Sequence, residues 1–313
     1  MKRLMGAVIV VATITSLVAG EAKLSGDTHF YYEFEDADNN SFHVSRAYFT
    51  FENKLNDALS YKFQTDVGSG GATDFTVYLK NAKLDWKTDF GKFSFGLQGM
   101  NMFKVQEDNW GYRFIEKSAM DKAKYSSSAD MGIGFSKKLA GLSTGLMITN
   151  GSGYKKAETD GYKKLSANVL YGPAKLKKGF NAGVAFSYEP SDYALSDGSG
   201  DDTGNTVVIA GFGGWAQGAL KLGAETAVLS KRMEESTSTN LISAYGNYAV
   251  SGKLDAFGRL DIYASDAATD SYAIIGVNYV PEKGLHIAPT VFVDMPDGGD
   301  TSMTYRVVFR FKI

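Results

Sequence analysis

Apolar and polar residues alternate with a period of two along most of the chain, and turn chemistry interrupts the alternation at short intervals. This pattern predicts strands at Leu24 to Glu35, Phe42 to Asn53, Leu59 to Val67, Phe75 to Lys87, Lys92 to Met100, Ala129 to Lys137, Leu142 to Asn150 and Lys164 to Tyr171. A second set is predicted at Phe180 to Glu189, Thr206 to Ala216, Leu220 to Ser230, Leu241 to Val250, Leu254 to Ser265, Ser271 to Val280, Leu285 to Asp294 and Ser302 to Ile313. These are about sixteen segments, each near the ~9 to 11 residues that cross a bilayer at a tilt, and a single-chain membrane barrel needs an even number.

The phase of the alternation is informative. In the first segment Leu24, Thr28, Phe30, Tyr32 and Phe34 share a face opposite Asp27, His29, Glu33 and Glu35. In the thirteenth, Leu254, Ala256, Leu260 and Ile262 oppose Asp255, Arg259, Asp261 and Tyr263. The last segment sets Tyr305, Val307, Phe309, Phe311 and Ile313 against Arg306, Arg310 and Lys312. A soluble sandwich also alternates, with its charged face wet. A wide aromatic stripe running to the last residue instead suits a strand with lipid on one side and a wet lumen on the other. The fourth segment changes phase between Val77 and Leu79 on one side and Ala82, Leu84 and Trp86 on the other, which predicts a β-bulge near Lys80 or Asn81.

Connection lengths add a second test, since membrane barrels alternate short periplasmic turns with longer external loops. The turns expected on the periplasmic side are around Lys54 to Ala58, Thr88 to Gly91, Leu139 to Gly141, Gln217 to Ala219, Ser251 to Lys253 and Pro281 to Gly284, with Gly172 to Gly179 as a longer exception. The external ones are around Asp36 to Ser41, Asn101 to Ser128, Gly151 to Lys163, Pro190 to Asn205, Lys231 to Asn240 and Asp266 to Asp270. Pro173, Pro190, Pro281 and Pro296 are expected in connections, while Pro289 falls inside a predicted strand and marks it as suspect or bulged.

At the other end, Lys2 and Arg3 precede an apolar run from Leu4 to about Val18, followed by small residues. This reads as a secretory signal peptide over residues 1–20, with cleavage after residue 22 as a second option, leaving a barrel over 21–313. The run is shorter than the roughly 20 residues of a spanning helix, so the mature chain would cross a membrane only as strands. With 35 Gly, 18 Tyr, 20 Phe and no Cys, the composition fits alternating strands and excludes disulfides and thiolate chemistry. A formal net charge of -2 gives no reason to expect a nucleic-acid partner.

The longest connection, Asn101 to Ser128, follows the fifth strand and is the third external loop. With the strand count, the leader and the aromatic last strand, the chain resembles the bacterial outer-membrane porin family. Ser45-Arg46-Ala47-Tyr48, Asn109-Trp110-Gly111-Tyr112-Arg113 and Ser128-Ala129-Asp130-Met131-Gly132 are similar to sequences of the phosphate-selective porin O and P kind. Ile313 stands where porins usually end on Phe. The resemblance implies an all-β, sixteen-stranded antiparallel barrel in a bacterial outer membrane, with the long third loop folded into the lumen. It further implies a water-filled channel for passive diffusion of ions and small hydrophilic solutes, with no enzymatic activity. Expected partners are outer-membrane lipid, the barrel assembly machinery and a homotrimer. The alternative is a surface-interaction barrel, an adhesin or envelope anchor, with little conductance.

An inward third loop would carry Glu107, Asp108, Arg113, Glu116 and Lys117, together with Lys104 and Asp121, towards basic residues Arg46, Lys62, Arg306 and Arg310 on the facing strands. Acids on one wall and bases on the other would set up a transverse field. Tyr305, Phe309, Phe311 and Ile313 are the candidate assembly signal. No cofactor or metal site is expected. His29, His43 and His286 are scattered, and the acidic run from Ser191 to Asp202 reads as a solvated loop more readily than as a calcium site.

Overall fold

The computed structural model describes residues 21–37, 39–69, 75–198 and 200–313; the leader expected over 1–20 and Ser199 of the acidic run lie outside these. Sixteen strands form one closed antiparallel barrel. In chain order they are β1 Glu21–Phe34, β2 Asn40–Lys54, β3 Leu59–Ser69, β4 Phe75–Thr88, β5 Gly91–Gly99, β6 Ala129–Leu139, β7 Leu142–Thr149 and β8 Lys164–Tyr171. They continue with β9 Gly179–Ala194, β10 Asp201–Gln217, β11 Leu220–Arg232, β12 Ser236–Ser251, β13 Leu254–Ser265, β14 Thr269–Tyr279, β15 Leu285–Met295 and β16 Ser302–Lys312. Two short helices, α1 Lys104–Trp110 and α2 Ala119–Lys122, sit in the β5–β6 connection. Closure is made by β1 on β16, with Phe30 opposite Phe309 and Asp27 opposite Lys312.

The alternation sorts side chains as the sequence implies. Leu146, Ile148, Val184, Ile209, Ile242 and Ile275 all point outward and are more than half exposed. Such an apolar surface around a whole circumference is stable against hydrocarbon and not against water. Among the described residues no helix is long and apolar enough to cross a membrane, so any crossing is made by strands.

The expected phase break in β4 is real. Gln64 pairs with Asn81 and Thr65 with Leu79, so Lys80 is the extra residue of a bulge. Because a bulge sets two consecutive residues against one partner, Lys80 and Asn81 both reach the inner cavity. A second bulge in β2 skips Ser45 between Val44 and Arg46.

Three expectations change. Residues 190–194 and 201–205 are strand, not loop, and Pro190 pairs with Asn205 inside β9. It is tolerated there because β9 has run past its last β8 partner, Tyr188 opposite Leu165, so one edge needs no donor. Likewise β12 begins at Ser236, within the connection expected to reach Asn240. Its Ser-Thr repeat has strand propensity but no apolar face to announce it above the lipid. Pro289 sits in a regular β15 without a bulge: it keeps Val307 of β16 as its partner, while the β14 ladder lapses between Gly276–Thr290 and Tyr279–Ile287.

Candidate functional site

The inner wall is divided in chemistry. From β9 to β16 its inward positions include Ala185, Val208, Ala210, Ala227, Leu229, Leu241, Phe257, Ile274, Ala288, Phe292 and Val308, all buried. These are core residues inside a barrel where water is the default filling. The β5–β6 connection covers them. Met102, Phe103, Ala119, Met120 and Tyr125 join one cluster with β9–β12, and Trp110, Tyr112, Phe114 and Ile115 join another with β12–β16.

Polar contacts fix the same segment along its length. Lys221 donates to the Asp108 carbonyl at 2.8 Å, Asn247 to that of Trp110 at 2.9 Å, and Arg259 to that of Lys117. Asn109 and Asn181 exchange side-chain amide bonds of 2.8 and 3.0 Å. The start of α2 leaves free N–H groups, as every helix does. Glu225 accepts from Ala119 N at 3.1 Å and Ser118 Oγ from Asp121 N at 3.4 Å. Helix α1 ends at Gly111 with φ 80°, a left-handed turn that favours glycine. At Gly223 a Cβ would come within 2.2 Å of the Tyr245 ring, so the missing side chain leaves room for that ring, whose hydroxyl donates to the Gln106 carbonyl of α1 at 3.4 Å.

What stays open is the polar side of the lumen. Between the segment and β1–β5 lies a cavity of about 1000 Å³. Lys23, Lys54, Lys62, Lys80, Lys83, Lys87, Lys104 and Arg113 line it against Glu21, Glu52, Asp57, Asp85 and Glu107, an excess of cations. Most of these are compensated locally. Lys62 reaches Glu52 at 3.0 Å, Lys83 reaches Asp85 at 2.8 Å, and Arg113 is held by Glu107 and, at 3.0 Å, by Asp121.

Lys80 differs. It is only 6% exposed, its Nζ donates to Ser128 Oγ, and it lies 3.5 Å from the centre of the Tyr154 ring, with no carboxylate paired to it among the described residues. Tyr154 comes from the β7–β8 connection, beside Tyr78 and Lys155. Burial pushes its phenol up, but the ammonium of Lys80, followed by Arg46 and Lys155, outweighs burial and brings it down to about 8.

The residues expected at a constriction therefore separate. Glu107, Arg113 and Asp121 come together on the cavity side of the segment. Asp108 turns to Lys104 at 2.6 Å, and Glu116 accepts from the Tyr272 hydroxyl at 3.0 Å on the packed side, where the Lys117 carbonyl is also held. Arg46 is locked to fully buried Asp66 at 2.6 Å. Arg306 pairs with Glu33, and Arg310 grips Asp27 with bonds of 2.8 and 2.6 Å, its guanidinium 5.4 Å from the Phe114 ring. Tyr305, Phe309 and Phe311 lie on the outer face of β16, with Ile313 just past its end, and Phe309 stacks on Phe30 at 4.7 Å. Lys80 and Tyr154 were not singled out from sequence, although the phase break at Lys80 was the available signal. In the acidic run, Asp192 accepts from Tyr162 at 2.9 Å, and no cluster of three metal-ligating side chains forms among the described residues.

The chain matches no protein-family model and no curated protein. Its fold recurs among solved structures. A trimer form of OmpT, an outer membrane protein of Vibrio cholerae, aligns with TM-score 0.69 and 13% identity over 94% of this chain and 100% of that one. The anion-selective porin from Comamonas acidovorans gives 0.69, 13%, 94% and 100%, and the outer membrane channel DcaP of Acinetobacter baumannii 0.65, 14%, 94% and 98%. At such identities the likeness is one of fold.

Proposed function

We propose that the chain is an outer-membrane porin: a water-filled channel through which small hydrophilic solutes diffuse passively, anions more readily than cations. The observation that carries this reading is the polar half-lumen along β1–β5, walled on its other side by the anchored β5–β6 segment and bearing a buried cation, Lys80, without a carboxylate partner among the described residues. An uncompensated charge beside a narrow wet path raises the local concentration of the opposite ion. Solutes meet no catalytic group in this reading. The exposed aromatic face of β16 serves as the assembly-machinery signal, and the outer apolar surface allows a homotrimer in lipid.

Single-channel current across a planar bilayer, with a KCl gradient, tests the proposal. Discrete steps and a zero-current potential negative on the dilute side are expected. A folded barrel without steps would favour the adhesin or anchor reading, for which the apolar filling of half the lumen is the supporting observation. The narrower form, a phosphate-selective channel of the porin O and P kind, adds the expectation that inorganic phosphate blocks chloride current. Unimpeded chloride flow leaves a general anion pore.

The pH response follows from Tyr154. As pH rises through about 8 the Tyr154–Lys80 pair gives up one proton and loses its net positive charge, within the set formed by Arg46, Lys155, Tyr78 and Asp66. Anion preference should therefore fall between pH 7 and 9. Tyr154→Phe shows which group carries the proton: a flattened change places it on the phenol, and an unchanged one places it on the Lys80 ammonium.

A further inference from the structure

The turn-side end of the barrel carries an outward aromatic belt, of which Phe93, Phe135, Tyr171 and Phe180 form one stretch; Phe93 and Phe135 are 5.0 Å apart and Tyr171 and Phe180 5.3 Å. Such belts mark the boundary between hydrocarbon and headgroups. Just beyond this stretch are Lys137, near the end of β6, and Lys175, Lys177 and Lys178, in the β8–β9 connection, and all four are exposed. No acidic residue occurs in the connections 140–141 and 172–178. The rest of the rim is balanced: Lys54 pairs with Asp57 at 2.7 Å, and Lys253 donates to the Pro281 carbonyl beside Glu282 and Lys283.

We propose that this sector is a binding surface for anionic phospholipid headgroups. Lys137 follows Phe135 on the same face by two residues, a rise of roughly 7 Å, which sets its ammonium at the depth of lipid phosphates. Lys178 precedes Phe180 by two residues on the adjacent connection, across Gly179, where a φ of 82° turns the chain into β9. The occupant is lipid because the charges begin where the belt ends, on flexible stems that spread along the interface while their heads stay wet. The proposal rests on the membrane-barrel reading but not on conduction.

Depth-dependent quenching tests it. In a background of Trp86→Phe and Trp215→Phe, Trp110 stays fully buried, and a reporter is placed either at Tyr171→Trp, inside the sector, or at Tyr279→Trp, across the barrel. Vesicles of phosphatidylcholine with a minor share of phosphatidylglycerol are used, one or the other lipid brominated. At Tyr171→Trp, phosphatidylglycerol should be enriched about threefold or more over phosphatidylcholine, and at Tyr279→Trp the ratio should be near one. Replacing Lys137, Lys175, Lys177 and Lys178 by Gln should return the first ratio to about one. Equal ratios at the two reporters, or a ratio that survives the Gln replacements, overturn the proposal. Absence of quenching by either lipid at both positions overturns the membrane reading as well.

Discussion

Trp110→Ala is expected to raise single-channel conductance and to destabilise the folded protein by about 3–5 kcal/mol, the range for deleting a large buried aromatic. Trp110 is fully buried in the lumen, with edge-to-face contacts to Tyr112, Tyr245 and Phe257 at 5.5, 5.6 and 5.9 Å. Its Nε1 donates to the Glu116 carbonyl at 3.0 Å, which ties α1 to the return of the segment. Alanine removes the packing and that bond together. The wall keeps its continuous strand ladder, so the barrel should survive while the segment detaches from β12–β16 and lets water in between it and that wall, adding to the open path. Conductance measured with urea denaturation decides the matter: loss of stability at unchanged conductance would show that the segment does not limit flow.

Lys80→Gln is expected to reduce the anion-to-cation permeability ratio by roughly tenfold at low salt. A unit charge about 5 Å from a permeating ion in water contributes about 0.8 kcal/mol, with opposite sign for anion and cation, so the ratio changes by about twice that energy. Ionic strength screens the effect, which should shrink by 1 M salt. Lys62→Gln is the comparison, since its charge is offset by Glu52. If both variants shift the zero-current potential equally, selectivity comes from the summed charge of the cavity and not from Lys80.

The barrel was legible because lipid and lumen impose opposite demands on successive residues, so strands such as Leu254 to Ser265 alternate along almost their whole length, inward Phe257 excepted. Legibility fails where one demand disappears. Ser236 to Thr239 lies at the external end of β12, polar on both faces, and nothing in its pattern distinguishes strand from loop. The packed side of the lumen was obscured for the reverse reason. Val207, Val208, Ile209 and Ala210 are apolar on both faces, one for lipid and one for the inward segment, and period-two reasoning has no contrast to read there. Pairing also hid the site: Arg46, Arg306 and Arg310 face inward as their phase requires, but each has a carboxylate that only the register brings beside it.

The bulge in β4 has a consequence for how such a channel could change over generations. Lys80 is the residue by which β4 exceeds β3 between two otherwise matched stretches of ladder. Deleting its single codon would bring Leu79 and Ala82 into one phase, close the ladder and take the cation away, with every other lumen side chain left in register. The charge of the pore is thus carried by an insertion and not by an exchange of one residue for another. An in-frame deletion of three nucleotides would reset ion preference while leaving the scaffold that lipids and neighbouring strands recognise untouched.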